Sequence, residues 1–207
     1  MSDHDRNWKY VDERAQEVSS AATARATAAE LGIEAVSPAV AAQLTVLAAA
    51  SRAKSLIEIG TGAGVSGLAL LAAQPESHLT TIDIEPEHQA AARNAFADAG
   101  IAPTRVRFIN GRAADVLPRM NEGAYDLVLI DADPESALEY VEHGLRLAVP
   151  GGLVIVHDAL HGSSNPADRS EAASTMRALI TELGGSTAVV SAVSPAGAGL
   201  LQIVKLA

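Results

Sequence analysis

The stretch Glu58-Ile59-Gly60-Thr61-Gly62-Ala63-Gly64-Val65-Ser66-Gly67, EIGTGAGVSG, decides how this chain folds. Leu56, Ile57 and Ile59 make a short apolar run with the length of a buried strand. Val65, Leu68, Leu70 and Leu71 continue beyond the glycines as a helical segment. A strand that passes through clustered glycines into a helix brings its backbone against a small ligand, because glycine places no Cβ in the way.

Outward from this stretch, short apolar runs alternate with longer amphipathic ones. SLIEIG is followed by Leu68 to Ala73, LTTIDI by Pro86 to Ala99, RVRFI by Ala113 to Met120, YDLVLIDA by Ser136 to Leu147, and GGLVIVHDA by Asp168 to Leu183. Such alternation predicts βαβ units and an α/β, doubly wound, mostly parallel sheet covered on both faces. Pro150, Gly151 and Gly152 are expected to turn the chain into the fifth strand. The tail breaks the rhythm: STAVVSAV and GLLQIVKL are separated by too few residues for a crossover helix, so they predict a C-terminal antiparallel hairpin and a seven-stranded sheet. Upstream, Val11 to Leu31 reads as one helix closing at Gly32, and a second helix runs from Ser37, with Pro38 in its first turn, to about Ser51. The expected organisation is a flexible arm over 1–10 and one domain over 11–207, with N-terminal helices as a cover over 11–51 and the core over 52–207.

Length suits one domain: 207 residues, 48% of them hydrophobic and 19% charged, supply a core without the charge density of a disordered chain. The formal net charge of −10 and the lack of a long Lys/Arg run argue against nucleic acid as a partner. There is no cysteine, which excludes disulfides and thiolate metal sites and agrees with a reducing compartment. The polar opening MSDHDRNWKY carries no secretory h-region, and no apolar stretch is long enough to span a bilayer, so a cytoplasmic, membrane-free protein is expected.

Gly62, Gly64 and Gly67 satisfy the G-x-G-x-x-G spacing of dinucleotide sites, and Asp83 follows at the distance of a ribose-binding acid. The same glycines would equally serve close helix-strand packing. Glu58 discriminates: a carboxylate near the end of an apolar strand would repel a pyrophosphate but suits a cation. S-adenosylmethionine has a sulfonium and an ammonium and no phosphate.

EIGTGAGVSGLAL, LTTIDIEPEH, GRAADVLP, YDLVLIDAD and PGGLVIVHDAL, in this order, resemble the class I S-adenosylmethionine-dependent O-methyltransferases of the catechol and caffeoyl-CoA type, over roughly Val36 to the C-terminus. The resemblance implies a Rossmann-like methyltransferase fold and methyl transfer to a hydroxyl of a small, aromatic or other, acceptor. It implies that Glu58, Gly60, Thr61, Gly62 and Ser66 surround the methionine half of the cofactor, with Val36 closing over it. Asp83 would accept both ribose hydroxyls, Ile84 would border the adenine, and Arg112 and Ala113 would meet the adenine through backbone groups. Asp131 would face the methionine part and the substrate, and Asp133 would contact ligand or only open the turn at Pro134. A homodimer built on the N-terminal helices is also implied.

The family holds a divalent cation such as Mg²⁺ with two aspartates and an asparagine and uses a lysine as base. Asp131 and Asp158 match the aspartates, but Ala159 stands at the asparagine position and Pro134 at the lysine position. Metal use is therefore open, and His157 and His161 are candidate replacements for the base, against plain structural roles for both. The expected catalytic set is Asp131, Asp158 and His157. GSSNPADRS, residues 162–170, is expected beside the substrate mouth. The alternatives are a non-catalytic S-adenosylmethionine-binding protein and a nicotinamide-dependent oxidoreductase.

Overall fold

The computed structural model describes residues 3–207. Seven strands form one sheet in the order β3-β2-β1-β4-β5-β7-β6: β1 (Ser55–Ile59), β2 (His78–Asp83), β3 (Val106–Asn110), β4 (Tyr125–Ile130), β5 (Ala148–His157), β6 (Val189–Ser194) and β7 (Leu200–Lys205). The first five are parallel, β7 lies antiparallel between β5 and β6, and the expected hairpin is β6–β7. The chain steps outward from β1 to β3 and then returns to β4 on the other side of β1. The strand order thus reverses between β1 and β4, the place where open α/β sheets bind ligands.

Alternation along the strands divides the core between the two faces. Leu56, Leu127, Leu129, Leu153 and Ile155 pack with α2 (Ser19–Glu30), α3 (Pro38–Ala50), α4 (Val65–Ala72) and α5 (Pro86–Asp98). Ile57, Ile59, Val128, Ile130, Val154 and Val156 face the other way, toward α6 (Ala113–Val116), α7 (Ala137–Leu147) and α8 (Glu171–Gly185). Each such fully buried side chain stabilises the fold by about 1.5–3 kcal/mol relative to exposure. Glu58 shares the face of Leu56 by the period of two, which aims a carboxylate at α4.

Several boundaries differ from the sequence expectation. The single helix over Val11–Leu31 is two: α1 (Asp3–Asp12) and α2, with Val18 extended at the N-cap. Tertiary anchors win over helix propensity here, because Asp12 Oδ1 accepts the Ala39 N–H of α3 at 3.0 Å and Trp8 packs on the core. The expected arm over 1–10 is helical from Asp3, and residues 1 and 2 lie outside the described residues. Ser37 caps α3 by accepting the Val40 N–H, as the sequence predicts. Pro150–Gly152 do not precede β5 but bulge from within it: Tyr125 pairs with Ala148 while Leu127 pairs with Leu153. The helix expected to Met120 stops at Val116 and tightens into a 3₁₀ turn carrying Pro118.

Candidate active site

At the reversal point, the backbones of β1 and β4 nearly touch. The Asp131 N–H donates to Ile59 O at 2.8 Å, and a Cβ built on Gly60, whose φ is +95°, would lie 1.9 Å from Asp131 O. Only glycine fits there. Two adjoining cavities open on this crossing. One of about 370 Å³ is lined by Gly60, Gly62, Asp83, Ile84, Arg112, Ala113, Asp131 and Asp133, together with Ile33, His88 and Tyr140. A smaller one of about 50 Å³ is lined by Glu34, Val36, Thr61, Ala63 and Ser66, and shares Ile33, Gly60, Gly62 and Asp131 with the first.

Asp83 organises the loop. Its Oδ2 accepts the N–H groups of Thr61 at 2.9 Å and Gly62 at 3.0 Å, and its Oδ1 accepts the Glu85 N–H at 2.9 Å. Gly60 and Gly64 donate to Ile82 O and Thr61 O. The Gly60, Thr61, Gly62 and Gly64 amides are therefore bonded inside the protein, whereas Val65 and Ser66 open the first turn of α4. Gly67 has a packing role: a Cβ there would come 2.7 Å from the Phe96 ring.

Glu58 lines neither cavity. It is fully buried, with Oε1 accepting from Ser66 Oγ at 2.5 Å and Oε2 from Thr81 Oγ1 at 2.8 Å; Thr81 in turn meets Thr61 Oγ1 at 2.7 Å. Burial pushes its carboxyl up to about 8, against the opposing hydroxyl bonds. It therefore holds its proton to higher pH than an exposed glutamate and reaches the ligand space through Ser66 and Thr61. The case against a pyrophosphate thus rests on the Thr61 and Gly62 amides that Asp83 occupies.

Val36 is held over the small cavity by Arg25, whose guanidinium donates to the Val36 carbonyl and pairs with Glu17. Asp133 opens the turn as expected, capping the 3₁₀ turn at Pro134 through the Ser136 N–H, and it also lines the larger cavity while accepting from Tyr140 Oη at 3.0 Å. Ile84, 59% exposed, forms an apolar wall. Tyr140, His88 and Ile33 escaped the sequence analysis; they join the cavity from helices and a loop whose position no local pattern encodes.

At the carboxyl ends of β4 and β5, His157 sits between two acids. Its Nδ1 is 2.8 Å from Asp131 Oδ1 and its Nε2 is 3.2 Å from Asp158 Oδ1. Burial opposes charge on the ring, but the bond to Asp131 and the charges of Asp131, Asp158 and Glu34 outweigh it and hold its pKa above the ordinary value. Burial raises the Asp158 pKa, aided by Asp131 and Glu34 and opposed by His157 and His161. Ala159 is fully buried and offers no side-chain ligand. Among the described residues, no group of three or more His, Asp or Glu side chains is arranged to hold a metal ion. His161 is exposed. The 162–170 loop is tied back to α8 by Arg177, which donates to Ser163 O, Asn165 O and Asp168 O, and it lines neither of the two cavities.

The family model of O-methyltransferases matches residues 11–205. The chain belongs to the O-methyltransferase family. A Mycobacterium marinum protein assigned as an O-methyltransferase is 45% identical over 186 residues, spanning 88% of this chain and 83% of its own length. Among solved structures, a Corynebacterium glutamicum protein superposes with a TM-score of 0.90 at 30% identity, covering 100% of this O-methyltransferase and 98% of its own chain. The O-methyltransferase TomG of Streptomyces achromogenes, involved in tomaymycin synthesis and solved in complex with SAM, superposes with a TM-score of 0.86 at 26% identity over 100% of both chains.

Proposed function

We propose that this O-methyltransferase binds S-adenosylmethionine across the two joined cavities and transfers its methyl group to a hydroxyl of a small molecule held beside Asp131, His157 and Asp158. The observation that carries the reading is a cleft at the β1/β4 reversal in which Asp83 lines the wall and holds the Thr61 and Gly62 amides, while the N-terminus of α4 faces the smaller cavity. The larger cavity suits an adenosine, with Ile84 and the backbone of Arg112 and Ala113 around the base and the unused lone pairs of Asp83 toward the ribose. The smaller one suits a methionyl group beside Ser66 and the N-terminus of α4, which favours a carboxylate. When bound, S-adenosylmethionine supplies an electrophilic methyl group on its sulfonium.

The chain's own task is alignment and removal of a proton from the acceptor hydroxyl. Asp158 is the most exposed of the three polar side chains at this end, 40% against 22% for Asp131 and 8% for His157, and takes the role of proton acceptor. His157, fixed by Asp131, orients it. Leu31 and Val46, exposed on the N-terminal helices, are available to a homodimer.

Calorimetric titration tests the cofactor assignment. Saturable binding of S-adenosylmethionine is expected, weakened roughly ten- to hundredfold in Asp83→Ala, with no binding of nicotinamide dinucleotides. Tight dinucleotide binding, or no binding of S-adenosylmethionine, overturns it.

A further inference from the structure

We propose that His157 fills the place that a divalent cation would need between Asp131 and Asp158, so that methyl transfer in this protein proceeds without a metal; this rests on the reading of the cleft as the transfer site. A cation shared by two carboxylates lies about 2.0–2.6 Å from an oxygen of each, and Mg²⁺ takes six oxygen ligands. Here one oxygen of each carboxylate faces a ring nitrogen of the same imidazole, at 2.8 Å on Asp131 and 3.2 Å on Asp158. An ion bridging these two oxygens would have to displace the ring.

The local backbone explains how neighbouring residues come to face each other. In an extended strand His157 and Asp158 would point to opposite sides. Asp158 instead has φ +58°, a left-handed conformation that aspartate tolerates better than most residues, and its carboxylate returns to Nε2. The turn is held by the Ala159 N–H to Gly199 O at 3.1 Å and the Leu160 N–H to Ala198 O at 2.7 Å. Gly197, in the same β6–β7 connection, lies behind the ring: a Cβ there would come 3.8 Å from Nε2.

The third ligand is also lost: Ala159, at the asparagine position, has no side-chain donor atom and is fully buried. Removing the ring should therefore release two carboxylates toward one point, whereas the wild-type site should ignore divalent ions.

The test is a titration with Mn²⁺ followed by electron paramagnetic resonance, with S-adenosylmethionine binding measured by calorimetry on the same samples. Wild-type protein is expected to leave the free Mn²⁺ signal undiminished. His157→Ala is expected to take up Mn²⁺ and lose that signal, and His157→Ala with Asp158→Asn to restore it. Should His157→Ala fail to fold, His157→Val keeps a strand-forming residue at the end of β5 and serves in its place. Stoichiometric Mn²⁺ binding by the wild type that disappears in Asp131→Asn overturns the proposal, as does a folded variant lacking the imidazole that binds no more Mn²⁺ than the wild type. Failure of S-adenosylmethionine to bind the wild type would remove the functional reading instead, and shows in a separate signal.

Discussion

Glu58 keeps a proton at a pH where an exposed glutamate would have lost it. Its pKa rises from 4.5 to about 8 because burial removes water from both oxygens, and two hydroxyls only partly replace it. Unfolding exposes the carboxyl, which then ionises near its ordinary value. The folded state therefore binds more protons across this window, and its stability falls as pH rises, by about 1.4 kcal/mol per unit for one such group. The contribution is whole below the unfolded pKa and is lost by the time pH passes the folded one. Glu58→Gln keeps the shape and cannot ionise. Denaturant unfolding of this variant is expected to match wild type near pH 5 and to exceed it progressively toward pH 8; parallel profiles for the two proteins would contradict the assignment. The sequence revealed an acid on an apolar strand, but not Ser66 and Thr81, which come from a helix and a neighbouring strand and decide its charge.

The loop between β1 and α4 shows how an element can be legible in outline and not in reason. Its glycines marked the edge of the cleft, where Gly60 and Gly62 line both cavities, yet they do different work: Gly67 admits the Phe96 ring, and Gly60 lets β1 pass Asp131. Gly60→Ala would put a methyl group into a backbone carbonyl at a left-handed φ, which nothing but movement of β1 against β4 can relieve. A loss of at least about 3 kcal/mol is expected from urea unfolding. Gly32→Ala is the control: φ there is +70° but a Cβ would meet nothing within 4 Å, so only about 1–2 kcal/mol of backbone strain is due. Equal losses in the two variants would refute the crowding argument. Element ends were less legible. The break before α2 answers to Asp12 and Trp8, and the bulge in β5 to the register with β4.

Across the whole molecule, the last strands close both the sheet and the site. β7 pairs along β5 from Leu153 to His157 and buries Leu200, Leu201 and Ile203, while the connection ahead of it holds the turn at Asp158. A chain ended at Ser186 would leave β5 as an open apolar edge. It is expected to lose cooperative thermal unfolding by circular dichroism and to aggregate; a soluble, cooperatively folded product would mean that the hairpin is dispensable. No helix among the described residues is long and apolar enough to cross a membrane. By itself the sequence determined the alternation of strands and helices, the antiparallel tail, the glycine loop and the acids at strand ends, because side-chain periods of two and 3.6 are local properties. Tertiary structure alone decided that Asp83 takes the loop amides, that Glu58 lies beneath hydroxyls, and that His157 stands between Asp131 and Asp158. Those pairings join residues distant in the chain, or turn neighbours toward each other, and depend on strand order, register and one left-handed turn that no local pattern specifies.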